Sequence, residues 1–77
     1  MGTLQNVSVS DFKRFLEHLG LSHISTKGGH EKWAKKGMLR PVIFQTHINP
    51  IPERVLRSNL NTLGLNRSDL EDYLKNK

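Results

Sequence analysis

Two consecutive glycines, Gly28-Gly29, separate two short stretches of extended character, about Leu21 to Lys27 and His30 to Lys35. A Gly-Gly pair suits the tight turns that match the twist of a β-hairpin, because glycine adopts positive φ without steric cost. The pair therefore commits the middle of the chain to antiparallel pairing. A third extended stretch, about Arg40 to Thr46, follows Lys36-Gly37, a second natural turn, and completes a predicted three-stranded meander.

Helical patterns flank the meander. Phe12, Phe15, Leu16 and Leu19 fall at i, i+3, i+4 and i+7, the stripe of an amphipathic helix that Gly20 ends. Ser8 with Asp11 forms a variant capping box that fixes its start. Pro50 and Pro52 open a second helix in which Leu56, Leu60 and Leu63 recur before Gly64. A short third helix follows, with Asn66 as N-cap, Asp69 at the third position, and Leu65 and Leu70 as a hydrophobic staple. The expected fold is α+β, with order α-β-β-β-α plus a short C-terminal helix and two helices covering one face of the sheet.

At 77 residues the chain is one domain, residues 1–77, with a modest core and no room for a large enclosed cavity. Twelve Lys and Arg against seven Asp and Glu give a formal charge of +5, which favours a polyanionic partner, nucleic acid before an anionic membrane surface. No apolar run is long enough to span a bilayer, and Met1 to Val9 lacks the pattern of a signal peptide, so a cytoplasmic location is expected. The absence of cysteine agrees, and it removes disulfides and thiolate chemistry.

His30, directly after the glycine turn, is the candidate catalytic residue. An imidazole titrates nearest neutrality, so it can take a proton from a ribose 2′-hydroxyl or give one to a leaving oxygen. The plainer reading is a hairpin turn followed by an exposed strand residue. Strand parity sharpens the choice. With Ile24, Trp33, Val42 and Phe44 turned to the helices, the open face receives His23, Ser25 and Lys27, then His30, Lys32 and Ala34, then Ile43, Gln45 and His47. A bulge would shift this parity. Lys32, Lys35, Lys36 and Arg40 form a candidate phosphate-binding strip, and Arg54, Arg57 and Arg67 extend the positive field along the helices. The four histidines, His18 among them, show no i, i+4 pair on a helix and no acid at matching spacing, so neither a metal site nor a cofactor is expected.

The order of residues resembles a family. The resemblance lies in Leu19-Gly20-Leu21, Lys27-Gly28-Gly29-His30, a third strand ending at His47, Ile51-Pro52-Glu53, Leu56-Arg57-Ser58-Asn59-Leu60 and Leu63-Gly64-Leu65, and it runs from about Ser10 to Leu74. It is similar to the HicA-type (YcfA-like) mRNA interferase toxins. What the resemblance implies is a fold like that of double-stranded-RNA-binding domains, used to cut messenger RNA without a metal and silenced by a HicB-type antitoxin. It assigns catalysis to His30 and the turn to Gly28 and Gly29, with His47 as a contributor to phosphate contact. Lys27, Lys32, Lys35, Lys36, Arg40 and Arg57 are the expected RNA-binding residues. The chain departs from the family pattern at Glu31, an acid beside the histidine that would weaken RNA contact locally. A non-catalytic RNA-binding module and a docking domain for an acidic protein remain open alternatives.

Overall fold

The capping box opens the first helix as its spacing predicts: in the computed structural model the Ser8 hydroxyl accepts a hydrogen bond from the Asp11 N–H at 3.0 Å, and α1 runs Val9–His18. The structure describes residues 6–76; residues 1–5, part of the segment read for a signal peptide, lie outside it. Three strands follow, β1 (Ser22–Lys27), β2 (His30–Ala34) and β3 (Val42–Gln45), then α2 (Glu53–Leu63) and α3 (Arg67–Asn76). The sheet is antiparallel in the order β1-β2-β3. This is the expected α+β arrangement, with one difference. The third helix is no shorter than α1, because Asn66 and Asp69 cap it reciprocally: the Asn66 N–H donates to the Asp69 carboxylate at 2.9 Å, and the Asp69 N–H donates to the Asn66 side chain at 3.2 Å.

The core lies on one face of the sheet. Phe12, Phe15 and Leu16 of α1, Trp33 of β2, Val42 and Phe44 of β3, Leu56 and Leu60 of α2 and Leu70 of α3 are buried together. Phe12 meets Phe44 edge-on with ring centroids 5.2 Å apart, which fixes α1 over β3.

Ile24 is not in this core. It is 59% exposed, because the β1–β2 register slips between His23 and Ser25. Such a bulge leaves one residue unpaired and reverses the parity of the strand on one side of it relative to the other, here on the side of His23. His23 therefore lies opposite Trp33, its ring edge-on to the indole at 5.8 Å, and not on the open face. Ser25 and Lys27, past the bulge, stand opposite Lys32 and His30 as expected.

β3 is an edge strand, and α2 runs beside it. The buried Asn59 side chain makes both hydrogen bonds that a neighbouring strand would make at Ile43, donating to its carbonyl at 2.9 Å and accepting from its N–H at 3.3 Å. This brings the first turn of α2 alongside the outer end of the open face.

Candidate functional site

The Lys27-to-His30 turn is a two-residue hairpin in which Gly28 and Gly29 both have positive φ, +58° and +84°. Gly29 is fixed for a second reason. A Cβ there would stand 2.8 Å from Nδ1 of His47, so the His47 ring rests against the turn backbone. The chain after β3 is drawn to this position by Thr46, whose N–H and hydroxyl both donate to the Gly29 carbonyl, at 2.9 and 3.3 Å. His47 thus reaches the turn from a loop and not by strand parity, since β3 ends at Gln45.

His30 is exposed at the start of β2, directly opposite Gln45. The Gln45 amide nitrogen lies 2.9 Å from His30 Nε2, to which it donates. Turned over, the same amide would offer its oxygen to a protonated Nε2. Gln45 can therefore hold the ring in either state of a proton-transfer cycle.

Lys27 and Lys32 flank His30 on the open face, and neither forms an ion pair among the described residues. The other expected cations scatter. Lys35 donates to the Leu19 carbonyl at 2.9 Å and so caps the C-terminal end of α1. Lys36 and Arg40 lie in the connection between β2 and β3, with Arg40 lining a groove beside Ser58 and Thr62 of α2. Arg57 is paired with Glu53 at 3.1 Å and lines a separate groove with Asn66 and Arg67. The arginine that does reach the site is Arg54, one turn earlier on α2. Arg54 and Arg57, three residues apart, are neighbours on the helix surface, so only the position of α2 along the β3 edge shows which of them meets His30.

Beyond His30 the open face continues into a cleft of about 250 Å3. Ile43, Ile48, Pro52 and Val55 form its walls, while His30, Gln45 and Arg54 supply polar groups. Ile48 is held by a loop tied to the start of the described chain, since Asn49 accepts from the Val9 N–H at 3.1 Å and the Ile51 N–H donates to the Val7 carbonyl at 2.9 Å.

Glu31 faces the helices and leaves the open surface free of its charge. It accepts from the Trp33 indole N–H at 2.8 Å and pairs with Lys13 of α1 at 3.2 Å. Burial pushes its carboxyl up, but the Trp33 and Lys13 hydrogen bonds, with the charges of Lys13 and His23, together hold it below the ordinary value. The expected weakening of RNA contact by this acid thus has no geometric basis.

No family model, curated protein or solved structure matches the chain. Among the described residues no group of three or more His, Cys, Asp or Glu side chains is placed to hold a metal ion, and no helix is long and apolar enough to cross a membrane.

Proposed function

We propose that the chain is a HicA-type toxin, an endoribonuclease that cuts messenger RNA in the cytoplasm with His30 as general base or general acid. The observation that carries this reading is an exposed imidazole at the end of a glycine turn, held by a neutral amide and set between two unpaired lysines. In the proposed step the ribose 2′-oxygen attacks the adjacent phosphorus and its proton passes to a base. The bond from phosphorus to the 5′-oxygen breaks, and that oxygen takes a proton from an acid. The products are a 2′,3′-cyclic phosphate and a 5′-hydroxyl. Lys27 and Lys32 would offset charge on the non-bridging oxygens, and His47, whose ring lies against Gly29, would contact the same phosphate. A HicB-type antitoxin that covers this face would silence the activity.

One observation favours a second reading. The hydrogen-bond partner of His30 is an amide and not a carboxylate, as suits a non-catalytic module that binds RNA through the same basic face. A cleavage assay separates the two. Purified wild-type protein should convert single-stranded RNA to fragments ending in 2′,3′-cyclic phosphate, and a folded His30→Ala protein should be slower by roughly 10²–10⁴-fold. Intact RNA after long incubation with an excess of inhibitor-free wild type would leave the binding module. Full cleavage by His30→Ala would remove His30 from the reaction.

A further inference from the structure

We propose that the cleft between β3 and the first turn of α2 seats one unstacked guanine base of a single-stranded RNA, next to the phosphate held at His30. The proposal rests on the ribonucleolytic reading of His30 and adds to it the part of the substrate that would be read.

The size of the cleft selects a small occupant. At about 250 Å3 it lies just under the range of roughly 300–1,000 Å3 typical of sites for drug-sized ligands. One heterocycle fits, and a double helix does not. Its walls are apolar in a place where the surrounding face is basic. Ile43 and Ile48 are 39% and 40% exposed, and Pro52 and Val55 close the cleft from the α2 side, over a floor of buried Phe44 and Ile51. Apolar surface of this kind gains from being covered by the flat, weakly hydrated face of a base. Proteins that read RNA sequence do so on unstacked bases of single strands, whose faces pack on side chains and whose edges accept hydrogen bonds.

The polar groups favour one base. Gln45 is engaged with His30, and Arg54 is the cationic donor among the residues lining the cleft. A guanidinium presents paired N–H groups that match the two acceptors on one edge of guanine, O6 and N7, whereas adenine offers a donor at the position of O6. Charge agrees with an RNA occupant, since Lys27 and Lys32 lie on the same open face and the chain carries +5 overall. Because His30 itself lines the cleft, a base seated there keeps its own backbone beside the imidazole. The cleft would thereby decide where along a message the chemistry occurs.

The test uses the full chain and short single strands with 2′-O-methyl ribose throughout, which cannot be cleaved, so binding is read apart from catalysis. Three oligonucleotides differ only at one central position, which carries guanine, adenine or no base. Affinity is measured by fluorescence anisotropy at constant salt, and occupation of the cleft by the methyl NMR signals of Ile43, Ile48 and Val55. The guanine strand should bind roughly tenfold more tightly than the abasic one, equivalent to about 1.4 kcal/mol, and should move all three methyl signals. Ile48→Ser should lower the guanine strand to the abasic affinity. Guanine and adenine binding alike, with moved methyl signals, would overturn the reading of the base by Arg54. Equal binding of all three strands with unmoved methyl signals would overturn the base seat, assign the cleft to an apolar side chain of a protein partner, and leave RNA binding standing. Binding of none would overturn the RNA reading and the seat together.

Discussion

His30 and Gln45 face each other across the β2–β3 ladder, and their side chains meet at 2.9 Å. The amide restrains an exposed ring that has no other hydrogen bond among the described residues, and it does so without adding charge. Gln45→Ala should free the ring to rotate while leaving the lysines in place. Single-turnover cleavage is expected to fall about tenfold, the effect of one lost positioning contact, with RNA affinity by anisotropy unchanged. An equal loss in both measurements would make Gln45 a binding residue.

The Gly29 position joins a backbone constraint to a side-chain contact. Gly29→Ala places a Cβ at φ +84°, costing about 1–2 kcal/mol, and drives the His47 ring from its place 2.8 Å away. The ring can swing outward, so the stability loss by urea denaturation should persist almost unchanged in a His47→Ala background. The cleavage defect should behave otherwise: once His47 is gone, Gly29→Ala should add little to it. A defect that simply multiplies would show that the turn acts on His30 and not through His47.

Asn59 satisfies both edge-facing backbone groups of Ile43. Asn59→Leu removes both partners at a nine-tenths buried position and should cost about 1–3 kcal/mol in urea denaturation. Asn59→Asp keeps the acceptor and loses the donor, so its loss should be smaller when the acid is protonated. A further expectation is self-association of the Leu variant, since an uncovered edge strand recruits another, and sedimentation would detect it.

Acid should loosen the fold through Glu31. Its carboxyl is held below the ordinary value of 4.5 when folded, so the folded state binds fewer protons than the unfolded chain in this range. The stabilisation is complete above the ordinary value and is lost as pH falls through the lower folded one. Melting temperature followed downward from pH 5 should drop in the wild type. In Glu31→Gln, stable enough to fold because the amide still accepts from Trp33, that part of the drop should disappear.

Much of the fold was legible because it rests on local devices. The Ser8–Asp11 cap, the Gly28-Gly29 hairpin, the Asn66–Asp69 box and the leucine repeat of α2 each act over a few residues, and each is found where its spacing puts it. Parity placed His30, Lys32, Trp33, Val42 and Phe44 correctly for the same reason. It failed on Ile24 and His23, where a bulge with no glycine or proline to announce it changes the count. The site was half visible. His30, Lys27 and Lys32 come together as read, and Glu31 turns inward with Trp33 as the alternation of β2 requires, but Arg54 replaces Arg57 and Lys35 turns to a helix end. These last two depend on how α1 and α2 sit against the sheet, a tertiary fact that no short spacing encodes. Asn59 had no signal beyond being a polar residue within a leucine-rich helix.

The bond from Lys35 to the Leu19 carbonyl also bears on how the protein would respond to ionic strength. A formal charge counts every cation equally, whereas counterions are displaced only by those free to approach a phosphate. With Lys35 committed to α1, Arg57 to Glu53 and Arg54 to the base, the cations left for phosphate beside His30 are Lys27 and Lys32. Single-strand affinity plotted against salt on logarithmic axes should then have a slope of about −1.4, as two neutralised phosphates give. A chain this basic would hold its substrate loosely and release its products soon after cutting.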